Sequence, residues 1–131
     1  MKRGIALFAH GSRDAQWNTP IEAVAQCMRE LAPDVPVACA YLELTAPDLP
    51  QAVQALCEQG VTHLTVWPMF LGMGRHVRQD LPRLLGELRQ CWPALHIEQA
   101  LPIGTHPDVL LAMARTALAF QLASHHFTVF P

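Results

Sequence analysis

The sequence predicts an α/β fold: a single four-stranded parallel sheet with helices on both faces. Three observations carry this. Four short β-like runs are apolar on both faces, as strands buried in a parallel sheet are. Four helical patterns alternate with them. No linker or low-complexity stretch interrupts the alternation across the 131 residues. At 51% hydrophobic and 15% charged, the chain buries the core of one compact domain.

The elements follow in order. The first run is GIALFAH, residues 4–10. Thr19-Pro20-Ile21-Glu22 then reads as a capping box with proline at the first helical position. Behind it, Ile21, Val24, Ala25, Met28 and Leu31 share one face. The second run is VPVACAYLE, residues 35–43. Thr45-Ala46-Pro47-Asp48 resembles the first cap, and Leu49, Val53, Leu56 and Cys57 form the next apolar face. Gly60 marks its C-terminal stop. The third run is HLTVWPMFL, residues 63–71. Pro82 belongs in the first turn of the third helix, which makes Asp80 its cap. Leu81, Leu84, Leu85 and Leu88 face inward there. The fourth run is HIEQALPI, residues 96–103. A last cap at Thr105-His106-Pro107-Asp108 opens a helix with Val109, Met113, Ala117 and Phe120 on one face. The domain is expected to span 1–122, with 123–131 as a tail that forms a partner contact or frays.

The totals exclude several classes. Nine Lys+Arg against eleven Asp+Glu give a net charge of −2, which argues against a nucleic-acid partner. The four cysteines form no C-x-x-C pair, so a structural zinc site is not expected. No apolar run approaches the ~20 residues of a membrane span. The short apolar stretch after Met1 ends in a histidine and does not suit a signal peptide. The expectation is a soluble cytoplasmic protein with free thiols.

Two polar stretches stand just past strands: LFAHGSRD (7–14) and MFLGMGRHVRQD (69–80). Ligands of open parallel sheets bind outside the carboxyl ends of the strands. His10 ends the first run, Glu43 ends the second, and His76 lies in the loop after the third. Two imidazoles and a carboxylate at one sheet edge suit a divalent first-row metal. The glycines Gly11, Gly72 and Gly74 leave room for a bulky ligand. Arg13, Arg75 and Arg78 are placed to grip its carboxylates, although Arg13 and Arg75 have Asp14 and Asp80 as alternative partners. Ser12 either touches ligand or closes a turn. His63, His96 and His106 lack company and read as structural, and His125-His126 stands on the tail. Met69 and Met73 read first as core filler. AHG resembles the Arg-His-Gly of histidine phosphatases, but alanine replaces the arginine and no other phosphate-binding set appears.

HGSRD at 10–14, Glu43 after a strand, and PMFLGMGRHVRQDLP at 68–82 resemble the class II tetrapyrrole chelatases. More narrowly, they resemble the short sirohydrochlorin cobalt- and iron-chelatases of the CbiX/SirB type. The resemblance implies a chelatase-like, flavodoxin-like half module. It implies insertion of a divalent metal into sirohydrochlorin, for cobalamin or sirohaem synthesis. It places metal binding on His10 and His76, with Glu43 as the acidic catalytic position beside them. It implies substrate contacts from Ser12, Arg13, Arg75 and Arg78. No cofactor is implied beyond the substrate metal, Co2+, Fe2+ or Ni2+. A homodimer with facing modules is implied, since longer relatives carry two modules in tandem. Two other readings compete: a non-catalytic metal or tetrapyrrole carrier, and a structural subunit that binds no metal.

Overall fold

The computed structural model describes residues 1–123. The element order is β1 (Arg3–Ala9), α1 (Ala15–Leu31), β2 (Val37–Tyr41), α2 (Leu49–Glu58), β3 (His63–Pro68), α3 (Arg75–Cys91), β4 (His96–Gln99), a 3-10 turn (Ile103–Thr105) and α4 (Pro107–Ala123). All strand pairs are parallel, in the order β2-β1-β3-β4.

The alternation of side chains along β1 builds two cores. Ala6 and Phe8 join Leu64 and Val66 under α2 and α3, where Leu49, Val53, Leu56, Leu81 and Leu85 complete the larger core. Leu7 faces the other way and packs with Val37 and Ala25 of α1. Helices therefore cover both faces, as the doubly apolar strands require. The chain steps outward from β1 to β2 through α1, and outward from β3 to β4 through α3. A right-handed crossover puts those two helices on opposite faces. The two units echo one another about sixty residues apart: Arg3 lies beside His63 in the sheet. Arg29 donates to the carbonyl of Val37 at 3.0 Å and Arg89 to that of Ile97 at 2.9 Å.

Each strand ends earlier than its apolar run. β4 is shortest because a proline faces it. Met69 donates its N–H to Phe8 on the β1 side, so Pro68 faces β4 and has no N–H to offer. The named β3–β4 register stops at Val66 beside Gln99.

The helix starts differ from the sequence reading. α1 begins at Ala15, with Asp14 as the cap accepting from the Gln16 N–H at 3.0 Å. Thr19 is not a cap; its hydroxyl bonds back to the Ala15 carbonyl, and Pro20 lies inside the helix. α3 begins at Arg75 after Gly74, so Asp80 is not a cap either and Pro82 is internal. Each proline withholds one backbone bond, from the carbonyls of Gln16 and Arg78. Both prolines are exposed, where water can serve those carbonyls. At α2 the cap is Asp48 rather than Thr45, with Gln51 reciprocating in a full capping box and Gly60 following the helix end at φ +91°.

The face expected to bury α4 does not do so within the described chain. Met113 is 39% and Phe120 49% exposed, and Leu110, Leu111, Leu118 and Leu122 are more open than Met113. The residues 124–131 of the expected tail, with His125 and His126, lie outside the described residues.

Burial pushes the Tyr41 phenol up to about 12 from an ordinary 10, and the Cys39 thiol beside it is raised by burial as well. A raised acid keeps its proton longer in the folded state, so folding is favoured fully below pH 10 and progressively less as pH rises toward 12. We expect Tyr41→Phe to flatten this alkaline loss in urea melts at pH 8, 10 and 11. An unchanged slope above pH 10 would remove Tyr41 as its cause.

Candidate active site

β1 and β3 are the inner pair, and their connections leave toward opposite faces. A crevice opens at such a switch point, beyond the carboxyl ends of the strands. His10 is the first residue after β1 and Glu43 the second after β2. His76 is the second residue of α3, which follows β3. All three thus belong to one edge of the sheet.

Register brings two of them into contact. Ala9 pairs with Tyr41, and the pairing runs on past the strands: Leu42 donates to Ala9 O at 2.9 Å and Glu43 to His10 O at 3.1 Å. The His10 imidazole Nε2 then lies 3.0 Å from the Glu43 carboxylate. The two side chains are 51% and 53% exposed. A pair this wet is worth under about 1 kcal/mol to stability. Its consequence is orientation: the carboxylate fixes which way the ring faces and which nitrogen it leaves open.

The backbone beneath the pair is demanding. Gly11 has φ +90°, and a Cβ there would sit 2.1 Å from the Glu43 carbonyl oxygen. Only glycine lets the two loops approach so closely. Leu44, next to Glu43, is held at φ +65°, a conformation that costs a leucine roughly 1–2 kcal/mol. Asn18 offsets part of this. It is the buried polar side chain of the described chain, at 4% exposure. Its amide donates to Thr45 Oγ1 at 3.2 Å and to Ser12 O at 3.5 Å. The Thr45 hydroxyl bonds Ser12 O as well, and Ser12 N–H donates back to it. Three residues thereby stitch the loop after β1 to the loop after β2. Sequence reading missed Asn18 and took Thr45 for a cap. The available signal was spacing: Asn18 precedes Ile21, Ala25 and Met28 on the inward stripe of α1.

The other expected residues fall as follows. His76 is 88% exposed and pairs with Asp80 at 3.3 Å, one helical turn away, rather than with His10 or Glu43. Among the described residues no three His, Cys, Asp or Glu side chains are grouped closely enough to hold a metal ion. Ser12 closes a turn, its hydroxyl accepting from the Asp14 N–H at 3.1 Å. Arg13, Arg75 and Arg78 are exposed. Asp14 serves as a cap, and Asp80 pairs with His76 and Arg83, so neither carboxylate takes up Arg13 or Arg75. Gly104 braces the third loop: its N–H donates to Phe70 O, and a Cβ would meet the Leu71 Cα at 2.2 Å. Met73 packs with the larger core and Met69 with the smaller. His63 and His96 stack at 5.2 Å on the far end of the sheet, and His106 lies against Trp67 at 5.8 Å.

We expect Gly11→Ala to destabilise the fold by about 2–4 kcal/mol in denaturant melts, from positive φ and the clash together. Asn18→Leu should cost about 1–3 kcal/mol by removing both bonds that tie α1 to the two loops. A neutral Gly11→Ala would contradict the close approach of the two loops.

Comparison with known proteins adds independent findings. Residues 4–118 match the CbiX family model. The chain is 36% identical over 85 residues to a sirohydrochlorin cobaltochelatase of Methanothermobacter thermautotrophicus, covering 65% of this chain and 59% of that protein. It is 30% identical over 115 residues to the sirohydrochlorin ferrochelatase of Bacillus subtilis, covering 86% of this chain and 43% of that one. The chain thus spans roughly half the length of these curated relatives. A CbiX protein of Marinobacter aquaeolei, described as a putative cobalamin biosynthesis protein, superposes with a TM-score of 0.80 at 37% identity, covering 93% of this chain and 98% of that one. SirB of Bacillus subtilis, solved with Fe3+, superposes at 0.74 and 28% identity, covering 88% of this chain and 46% of that one. On its family match and its fold alike, this chain belongs to the CbiX family.

Proposed function

We propose that the chain is a sirohydrochlorin metal chelatase that inserts cobalt or iron. The observation that carries this is the His10–Glu43 pair at the switch point of a CbiX-family sheet. The names of the relatives, cobaltochelatases and ferrochelatases, support both the substrate and the reaction class.

The chain's own groups fit the chemistry. Neutral imidazole binds a divalent first-row ion, so His10 and His76 are the metal-holding groups in this reading. Insertion displaces the protons of two pyrrole nitrogens, and those protons need an acceptor. Glu43 is placed for that task, half in water and 3.0 Å from His10. Arg13, Arg75 and Arg78 supply exposed positive charge for the substrate's carboxylates, and Ser12 shapes the turn that presents Arg13.

The same reading includes a homodimer. α4 is apolar almost all round, yet its leucines stand exposed, and helices of that kind are buried in their working state. This chain superposes on 46% of SirB, which supports a module of the same kind as the covering surface. A cytoplasmic setting belongs to the reading too; the four free cysteines support it. No helix among the described residues is long and apolar enough to cross a membrane.

The decisive assay incubates the protein with sirohydrochlorin and cobalt, iron or nickel in turn, following the absorption spectrum. Multiple turnovers above the spontaneous rate are expected. His10→Ala and His76→Ala should lose that acceleration, by at least about a hundredfold. Unchanged turnover in either would remove that histidine from the mechanism, and stoichiometric binding without turnover would make the protein a carrier. For the assembly, sedimentation should give twice the 14.5 kDa of one chain. Leu111→Lys with Leu118→Lys, two turns apart on α4, should return the monomer mass with helicity retained. A wild type that sediments as a monomer would end the dimer reading.

A further inference from the structure

Two further histidines stand together at the opposite end of the sheet from the cleft. The β3–β4 register pairs His63 with His96, each the first residue of its strand. Read along the chain, neither had a companion; the finished sheet supplies one. His63 shares its face of β3 with Thr65 and Trp67, opposite the buried Leu64 and Val66. This end of the face is open to water: the side chains of His96 and Glu98 are 62% and 69% exposed.

The spacing of the pair suits a shared ion. The imidazole centres lie 5.2 Å apart, with their planes 33° from parallel. A first-row ion stands about 2.1 Å from an imidazole nitrogen, so two rings on adjacent positions of one ion hold their centres roughly 5 Å apart. A ring that binds through Nε2 keeps its proton on Nδ1 and needs an acceptor for it. Thr62 Oγ1 lies 3.0 Å from the Nδ1 of His63, and its own proton has the Lys2 carbonyl at 3.3 Å. On the other ring, Nε2 of His96 lies 3.5 Å from Glu98 Oε1. Donor atoms around one tetrahedral ion are separated by roughly 3.4 Å, so an ion on that nitrogen has a carboxylate beside it. The three side chains do not converge on one point as they stand, which leaves the two imidazoles as the ligands and Glu98 as neighbouring charge. Arg3 flanks His63 on the β1 side and repels a cation, which favours the side of His96 and Glu98. The recess among Arg3, His63, Thr65, His96 and Glu98 has a volume of about 90 Å3, room for an ion and two or three waters.

We propose that His63 and His96 form an auxiliary site for a divalent first-row metal, held by two imidazoles and completed by water. The six residues of β3 put about 20 Å between this site and the cleft, so the two do not share an ion. The proposal is independent of the chelatase reading. Neutral imidazole sets the order of affinity, Co2+ below Ni2+ below Cu2+. The site also has a structural effect. β4 is an edge strand of four residues. An ion on both histidines ties the first residue of β4 to that of β3, and binding to the folded state raises its stability.

The test uses Ni2+ alone, with calorimetric titration and thermal melts of the full chain. A background carrying His10→Ala and His76→Ala removes the cleft's imidazoles from the count. That background should bind one Ni2+ per chain, with a rise in Tm. Adding His63→Ala or His96→Ala should weaken binding at least about tenfold and abolish the rise. His63→Gln and His96→Gln keep polar side chains on the strands and serve as the second pair of variants, and circular dichroism checks the fold of each. In the otherwise wild-type chain, His96→Ala should leave sirohydrochlorin turnover within about twofold. No Ni2+ bound by the background, or equal binding after both histidine changes, overturns the site. Binding that is lost instead with His125→Ala and His126→Ala assigns the ion to the tail and overturns it as well. Each of these outcomes leaves the chelatase reading standing.

Discussion

The structure depends on the parallel pairing of β1 with β3. These strands are adjacent in the sheet but separated in sequence by α1, β2 and α2. Their pairing forces the chain to leave them in opposite directions, β1 toward β2 and β3 toward β4. Everything beyond their carboxyl ends then has space between it. It also sets the demand on composition. β1 is covered on two faces, so Ala6, Leu7 and Phe8 must all be apolar, while β3 buries Leu64 and Val66 on one face and leaves Thr65 and Trp67 half-buried on the other. Phe8 meets Phe70 edge-on at 6.2 Å, which carries the core out into the loop after β3. The crevice is therefore floored by the same packing that holds the domain together.

Above that floor the chain accepts local cost. Leu44 sits in a left-handed conformation and Gly11 admits no side chain. One buried asparagine, through its amide nitrogen, ties the loops that carry these features. The His10–Glu43 contact above them is weak, because water reaches both partners. That weakness suits the proposed chemistry. A metal ion competing for His10 displaces a contact worth little, while the web below keeps the ring's base in place. A buried pair would hold the imidazole against the metal.

How much of this the sequence disclosed follows from which forces are local. β1 was legible because burial on both faces leaves an unbroken apolar signature; β4, exposed except at Ile97, was legible from its place in the alternation of strand and helix. His10 and Glu43 were legible because a strand end is a sequence position, and topology alone then puts them at one edge. The helix starts were misread at Thr19 and Asp80 for a shared reason. Proline is free of cost only in a first turn, so each was placed there, yet Pro20 and Pro82 sit inside their helices on exposed faces. The Asn18–Thr45 bond was not legible at all. It joins residues that only the finished β1–β2 register brings together. The apolar character of α4 was legible and its exposure was not, since composition says that a surface wants covering and not by what.

The echo between the two βαβ units sharpens the difference between the histidines. With β1 and β3 offset by sixty residues, the position of His10 is held in the second unit by Phe70, and that of His76 is held in the first by Gln16. One unit thus carries its imidazole on the loop directly after a strand, the other in the first turn of a helix. The physical consequences differ. The His10 backbone is held by a bond from the Glu43 N–H and by Gly11's close approach, and its ring has the Glu43 carboxylate beside it on the neighbouring loop. His76 is 88% exposed, and its partner Asp80 lies on its own helix. It can swing through its rotamers without disturbing the core. A reaction that must both grip an ion and give it up is served by such a pair. In the proposed chelatase reading, the imidazole on the fixed backbone sets where the metal meets the macrocycle, and the more exposed one follows it in and lets go.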